Sequence, residues 1–355
     1  MAIDIRIATP DDLEALVAVD FRNFGVTVDD GDIEAIRDQL DLDRFLVASD
    51  GGRLVGAAGS YEMELTLPGN GRILMSGVTW VSVSASHRRQ GLAARLMAGL
   101  DELSTGFGEP LLGLTASEAG IYERFGYGSS TQIRVTEIDR RRASIDRRWP
   151  TEPVDLVIGQ DHGPQMYELW DRFRRSQPGE VSRSEPLHRA FTLGRKKPTF
   201  VALHPDGYAS YSIESDWDNG HPAHRLTLNA LVAVTPEAHR SLWQVLLSVD
   251  LVGPIRSVRS VPVDDPLPHL LNDPRALRTV ELNDGLWLKV TEPARCFAAR
   301  TYRAEDRLVV GIVETVDELT DDAEPTLAVA VGPAGSQPVD EEPDLMACRS
   351  ALGPL

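Results

Sequence analysis

Apolar and polar residues alternate or recur with regular periods along most of the 355-residue chain, so its elements can be predicted from spacing. Alternating or β-branched stretches near the start predict strands at residues 3–7, 44–49, 53–61, 78–83 and 111–115. Behind the fourth of these strands, apolar residues return at helical spacing at Leu92, Leu96, Leu100 and Leu103. Residues 1–143 therefore predict a domain in which helices pack on a central sheet.

Two further regions follow a basic stretch at residues 139–150, whose interleaved acidic residues indicate a solvated linker. Within residues 144–282, the segment 231–242 repeats the strand–loop–helix outline of the first region. The repeat lacks the glycine and carries Glu237, which repels phosphate, so it predicts a second domain of the same kind without anion binding. Chance similarity of two strand–helix corners is the alternative. Residues 283–355 add strands at 285–290, 307–313 and 326–331 and predict a short third domain.

The corner between strand 78–83 and the helix behind it carries the clearest candidate chemistry. Backbone N–H groups at a helix start lack partners within the helix, and the helix dipole adds partial positive charge there. Gly91 lets the main chain approach an anion closely, Ala93 keeps the first turn slim, and Arg88 and Arg89 attract negative charge. These residues predict a pyrophosphate-binding loop. The alternative is an ordinary surface corner that happens to hold two arginines.

Composition narrows the class of protein. A content of 42% hydrophobic and 25% charged residues is typical of a soluble globular protein, and 355 residues exceed one ordinary core. The net charge of −18 argues against nucleic acid as a partner. An acidic surface would concentrate cationic substrates, although solubility alone explains the acidity equally well. There is no apolar run of bilayer length and no secretory signal, and Cys296 and Cys348 make neither a disulfide framework nor a metal site. The sequence therefore predicts a cytoplasmic protein without a metal or a membrane partner.

Tyr122 is the second candidate for chemistry. It follows strand 111–115 in a short segment that runs from Ser117 to Tyr127. A phenol with a pKa near ~10 can protonate a thiolate whose conjugate acid has a pKa near ~8.5. An ordinary core aromatic is the alternative for Tyr122, whereas Tyr127, between Gly126 and Gly128, is interpreted as a packing residue.

The spacing Arg88-x-x-Gly91-x-Ala93 resembles motif A of the GNAT acetyltransferases, (Gln/Arg)-x-x-Gly-x-(Gly/Ala), which holds the pyrophosphate of acetyl-CoA. Further stretches at residues 121–128, 204–209, 265–271 and 284–288 resemble the Eis (enhanced intracellular survival) family, over nearly the whole chain. This resemblance implies an α/β (α+β) fold of two tandem GNAT folds followed by a shortened sterol carrier protein 2-like domain. The corresponding boundaries are 1–143, 144–282 and 283–355.

The resemblance also implies function: an N-acetyltransferase that moves an acetyl group from acetyl-CoA to an amine of an aminoglycoside, a polyamine or a lysine, within a homohexamer. Main-chain atoms of Val81, Ser82 and Val83 would pair with the pantetheine arm. The pyrophosphate would be held by Arg88, Arg89, Gln90, Gly91, Leu92, Ala93 and Ala94. The remaining implied roles are the thiol end for Ser117 and Glu118, the general acid for Tyr122, and the acceptor pocket for Trp80.

In this family the general base is the C-terminal carboxylate, which here belongs to Leu355. The helices expected after the family's last strand, matched at residues 344–353, are absent from the sequence, so the base stays open between Leu355, a bound water, Glu62 and Glu64. The alternative function is therefore a catalytically impaired acyl-CoA-binding or assembly protein. A lipid carrier role of the third domain is a weaker alternative.

Overall fold

The computed structural model describes residues 3–27, 29–193, 198–302, 307–313, 318, 320, 324–332 and 335–352. The chain forms two compact units, and neither of them is one continuous stretch. The first comprises Met1–Thr131, Gln177–Arg183 and Gly285–Leu355, and the second comprises Gln132–Ser176 and Ser184–Asp284. The units thus do not follow the order of the chain, and the division at residues 143 and 282 stays a prediction.

The described strands are, in chain order, β1 (Asp4–Ile7), β2 (Phe45–Asp50), β3 (Arg53–Thr66), β4 (Arg72–Val83), β5 (Leu111–Thr115), β6 (Gly128–Ser129), β7 (Gln132–Asp139), β8 (Asp155–Ile158), β9 (Phe200–His204), β10 (Gly207–Glu214), β11 (Trp217–Asp218), β12 (His221–Pro222), β13 (His224–Ala233), β14 (Val252–Val258), β15 (Leu277–Asp284), β16 (Leu286–Val290), β17 (Leu308–Val313), β18 (Leu327–Gly332), β19 (Gly335–Pro338) and β20 (Leu345–Cys348). The described α-helices are α1 (Leu13–Asn23), α2 (Asp30–Arg37), α3 (Leu92–Gly106), α4 (Gly163–Arg174), α5 (Glu185–Thr192), α6 (Pro236–Leu246), α7 (Leu267–Leu270) and α8 (Pro293–Ala298).

The larger sheet of the first unit has the strand order β1-β2-β3-β4-β5-β16-β6. Strands β1 to β4 are antiparallel, β4 and β5 run parallel, and β16 lies antiparallel between β5 and β6. Helix α3 covers one face, where Leu92, Leu96 and Leu100 are buried as their spacing predicts. Helix α1 covers the other face, with Leu16 and Val19 packed against alternate residues of β2 and β3. The first unit therefore contains a sheet with helices on both faces, which is the arrangement predicted for the start of the chain.

A smaller sheet of the first unit has the order β19-β18-β17-β20. It shares one apolar core with the end of the larger sheet, where Val310, Ile312 and Val329 pack with Leu65 and Ile73. This shared core explains why residues after 285 belong to the first unit. The likeness of the smaller sheet to sterol carrier protein 2 stays a prediction.

The second unit is built on a sheet of order β15-β7-β14-β13-β10-β9-β8, with β13 and β14 parallel and the other neighbours antiparallel. Helix α6 follows β13 and buries Leu242, Trp243 and Leu246 against this sheet. The sequence β13–α6–β14 thus has the same outline as β4–α3–β5, a strand, a helix and a parallel strand. The predicted internal repeat is present in the structure.

Candidate active site

The parallel strands β4 and β5 separate soon after they meet. They pair only at Ser76 with Leu112 and at Gly77 with Gly113, although β4 continues to Val83 and β5 to Thr115. A bulge in β4 accompanies the separation: Trp80 has a φ of 54°, and the pairing of β3 with β4 shifts register opposite this residue. The separation leaves a wedge whose two edges carry backbone N–H and C=O groups that need partners.

The wedge ends at the corner that the sequence predicts as an anion site. Arg89 and Gly91 adopt the left-handed conformation, with φ of 63° and 72°, and α3 begins at Leu92. Gly91 occupies the N-cap position and supplies no side-chain acceptor to the first turn of the helix. Arg88 and Gln90 are exposed beside this turn. The first N–H groups of α3 are therefore available to an anion, with the dipole of a 15-residue helix behind them.

Gly91 sets the shape of this corner through its backbone rather than through packing. A Cβ added at Gly91 meets no atom within 4 Å, but its φ of +72° is one that residues with a side chain adopt at a cost of about 1–2 kcal/mol. If this corner holds the pyrophosphate that the motif A resemblance implies, Gly91→Ala should weaken acetyl-CoA binding roughly tenfold, because the loop must relax away from the anion. Isothermal titration calorimetry with acetyl-CoA measures the change.

Gly106→Ala is the matched control, since Gly106 lies in the same helix, meets no atom within 4 Å at its added Cβ, and has an ordinary φ. Equal affinities of the two variants would show that the left-handed backbone at Gly91 does not matter to binding.

Tyr122 lies between two short 3-10 turns, Ala119–Ile121 and Glu123–Phe125, rather than on a regular helix. Its carbonyl accepts the N–H groups of Phe125 and Tyr127, and its half-buried ring contacts the ring of Tyr127 edge-on at 6.0 Å. Burial raises the pKa of the phenol, and the nearby Glu118 carboxylate raises this pKa further. The phenol is therefore protonated at neutral pH and able to donate, while Ser117 and Glu118 are exposed.

Trp80, Tyr61 and Asp20 form a polar cluster where the β4 bulge packs against α1. Trp80 Nε1 donates a hydrogen bond of 3.2 Å to the Tyr61 hydroxyl, and its ring packs edge-on against Phe21 and Phe45. Asp20, on α1, is only 8% exposed, and burial raises the pKa of its carboxyl to about 6. Trp80, which the resemblance assigns to the acceptor pocket, thus lies where the bulge meets α1.

Sequence reasoning missed Asp20. A signal was present, because Asp20 continues the series Leu13, Leu16 and Val17 at the spacing of one helix face. An acidic residue on an otherwise apolar face is either paired or functional, since burying an unpaired carboxylate is costly.

The two glutamates named from the sequence as candidate bases lie in another part of the sheet. Leu355 is outside the described residues. Glu62 and Glu64 lie on β3 opposite Ser76 and Leu74, in the part of the sheet before β4 and β5 separate. Glu62 is exposed and pairs with Arg44 at 3.4 Å, and Glu64 pairs with Arg72 at 3.8 Å. Neither carboxylate borders the wedge.

An apolar cavity of about 160 Å³ lies apart from the wedge in the same unit. Its lining includes Leu65, Leu288, Phe297 and Leu352, and Cys296, whose thiol has a pKa raised to about 12 by burial. A thiol of that pKa is not a nucleophile at neutral pH, so this cavity adds no catalytic group. In the described part of the chain, no cluster of three or more His, Cys, Asp or Glu residues is arranged to hold a metal, and no helix is sufficiently long and apolar to cross a bilayer.

Comparisons with known proteins identify the family. Residues 4–130 and residues 179–303 match two families described as acetyltransferase (GNAT) domains. The N-acetyltransferase Eis of Mycobacterium tuberculosis is 34% identical over 319 residues, which cover 87% of this chain and 77% of that protein. An uncharacterized N-acetyltransferase of Streptomyces avermitilis is 36% identical over 76% of this chain and 69% of its own length. The crystal structure of Eis1 from Mycobacterium abscessus superimposes with a TM-score of 0.85 at 31% identity, covering 100% of this chain and 89% of the other. The chain therefore belongs to the Eis family of GNAT N-acetyltransferases.

Proposed function

We propose that the first unit binds acetyl-CoA in the wedge and transfers its acetyl group to the amine of a cationic acceptor, either an aminoglycoside, a polyamine or a lysine side chain. The pantetheine arm pairs with the open edge of β4 at Val81, Ser82 and Val83, in the manner of an added strand. The pyrophosphate binds the N–H groups of residues 89–94, with Arg88 and Arg89 beside it. Tyr122 then protonates the departing thiolate.

The observation that supports this proposal most is that two sets of unpaired backbone groups, the edge of β4 and the first turn of α3, follow each other along the chain. The separated edge of β4 ends at Val83, and the uncapped N-terminus of α3 begins nine residues later at Leu92. An extended amide arm followed by a pyrophosphate matches this order of hydrogen-bonding groups and positive charge. The net charge of −18 supports a cationic acceptor, because an acidic surface concentrates cations near it.

The second unit differs at the corresponding corner, which supports one cofactor site per chain. Helix α6 begins with Pro236, which has no N–H group, and the Thr235 side chain accepts the N–H of Ala238. Glu237 adds negative charge in the same turn. A helix start that is already capped and acidic repels an anion.

The test follows free thiol with a thiol-reactive dye while the protein is incubated with acetyl-CoA and a polyamine or an aminoglycoside. The expected result is thiol release that requires both the acceptor and the protein, and that slows as salt screens the cationic acceptor from the acidic surface. Acetyl-CoA binding without thiol release for any of these amines contradicts the proposal and favours the impaired acyl-CoA-binding alternative.

A further inference from the structure

We propose that Asp20 accepts the proton of the attacking amine, which would make it a catalytic carboxylate that does not depend on the end of the chain. This inference rests on the function proposed above. It concerns a residue that neither the motifs nor the resemblance assign.

Asp20 lies in the last turns of α1, on the face that packs against β3 and β4. The Ser82 hydroxyl is near enough to lower the pKa of the Asp20 carboxyl. The charge of Asp20 in turn raises the pKa of Tyr61 on β3. Ser82 belongs to the edge of β4 that is unpaired beyond Gly77. The carboxylate is therefore next to the strand along which the thioester arm would lie.

The buried carboxylate of Asp20 is incompletely satisfied. Asp20 is 8% exposed, and its Oδ1 has no hydrogen-bond partner of normal geometry among the described residues. The Ser82 Oγ and the Nδ2 of Asn23, one helical turn after Asp20, are also without such a partner in the described chain. Buried polar groups are normally satisfied, so the unsatisfied Oδ1 of Asp20, beside the strand that carries Ser82, indicates a place for a polar ligand. An amine donates to a carboxylate and so fits Oδ1.

The charge environment suits a proton acceptor. Burial raises the pKa of Asp20 to about 6, and Ser82 opposes that rise. The described charged side chains on the neighbouring 3-10 turn, α2, β3 and β4 are not among the causes of this shift; they are Asp11, Asp12, Asp32, Glu34, Arg37, Arg53, Glu62, Glu64 and Arg72. A carboxylate with this pKa is ionised at neutral pH and is a stronger base than an exposed aspartate.

The reaction then balances within the site. The amine nitrogen attacks the thioester carbonyl, a C–N bond forms, and the carbonyl π pair moves onto oxygen. As the nitrogen becomes acidic in the tetrahedral intermediate, its proton passes to the Asp20 carboxylate. The oxygen lone pair re-forms the carbonyl, the C–S bond breaks, and the thiolate takes the Tyr122 proton. Solvent afterwards removes the proton from Asp20 and returns one to Tyr122, so no oxidant or further reactant is needed.

The experiment measures kcat between pH 5 and pH 9 with saturating acetyl-CoA and a saturating polyamine. For the unaltered protein we expect kcat to fall tenfold per pH unit below about pH 6, because protonated Asp20 cannot accept a proton. Asp20→Asn should lower kcat at pH 7.5 at least a hundredfold, abolish that acid limb, and leave the Kd of acetyl-CoA within twofold. Ser82→Ala should move the acid limb to higher pH, since the hydroxyl lowers the pKa of Asp20.

Glu14→Gln is the matched control, because it removes one negative charge from the exposed face of the same helix and should leave the pH profile of kcat unchanged.

The folded-state pKa of Asp20 exceeds its ordinary value, so its charge destabilises the fold above about pH 6 and this effect is lost below about pH 4. Asp20→Asn should therefore raise Tm at pH 8. Should the variant not fold, Asp20→Glu keeps a carboxylate and should keep an acid limb, at a displaced pH.

Retention of both the rate and the acid limb in Asp20→Asn overturns this inference while leaving the proposed function intact. Absence of the acid limb from Asp20→Glu when that variant is active overturns it too. Absence of thiol release in the unaltered protein overturns the proposed function and this inference together.

Discussion

Tyr122→Phe lowers kcat by about two to four orders of magnitude while acetyl-CoA still binds, if Tyr122 is the proton donor. The substitution removes only the hydroxyl, so the edge-on contact with Tyr127 at 6.0 Å and the turn around the residue persist. The thiolate must then leave without a proton from the enzyme, which slows breakage of the C–S bond. Steady-state turnover and calorimetric titration with acetyl-CoA measure the two quantities separately.

Tyr127→Phe provides a matched control for this prediction. Tyr127 is fully buried, and its hydroxyl has no hydrogen-bond partner among the described residues. Losing that hydroxyl should leave kcat unchanged and should not lower stability. Because burial raises the pKa of Tyr122, the rate of the unaltered protein should also not fall from loss of this proton until the pH exceeds the ordinary phenol value of about 10. Equal turnover of Tyr122→Phe and Tyr127→Phe would remove Tyr122 from the mechanism.

Arg44→Met is expected to lower the free energy of unfolding of the first unit by about 3–5 kcal/mol, the largest loss of stability that we predict. Arg44 and Glu109 are 4% and 2% exposed, and two hydrogen bonds of 3.1 Å and 2.8 Å join the guanidinium to the carboxylate. Ser76 also donates to Glu109, and the guanidinium lies over the Phe107 ring at 4.1 Å. Removing the arginine leaves the carboxylate buried without its counter-charge.

Urea unfolding followed by tryptophan fluorescence measures this loss as an earlier transition of the first unit, which holds Trp80 and Trp287, relative to the second unit, which holds the other four tryptophans. The double variant Arg44→Met with Glu109→Gln should recover much of the stability, because the unpaired charge is then gone. Arg307→Met breaks an ion pair with Glu341 that is half exposed at both ends and should change stability little. A small effect of Arg44→Met, equal to that of Arg307→Met, would contradict the assignment.

The sequence was sufficient to predict elements whose spacing is local. The helix that follows β4 buries Leu92, Leu96 and Leu100 as their spacing predicts, and the strands predicted at 44–49 and 53–61 pair with each other as β2 and β3. The placement of Gly91 at the start of that helix is another local property, because it depends only on the residues around it. The family, the two GNAT folds and the N-acetyltransferase class were predicted correctly from such local motifs together with the resemblance.

What the sequence did not predict depends on pairing between distant residues. β16 was assigned to a separate third region, but in the structure it lies between β5 and β6. Nothing in the pattern of residues 286–290 specifies which sheet edge they join, since an apolar strand can pair with several different edges. The same holds for the separation of β4 from β5 and for the position of Asp20 beside Ser82. Both arise only when the sheet and α1 are assembled.

Titration of acetyl-CoA into the folded protein by calorimetry tests most directly whether the wedge and the start of α3 form the cofactor site. We expect saturable binding of one molecule per chain, because α6 in the second unit is already capped by Thr235. The affinity should fall in Gly91→Ala and stay the same in Gly106→Ala. Absence of heat with folded protein, or an affinity that is unchanged in Gly91→Ala, would contradict this assignment of the cofactor site.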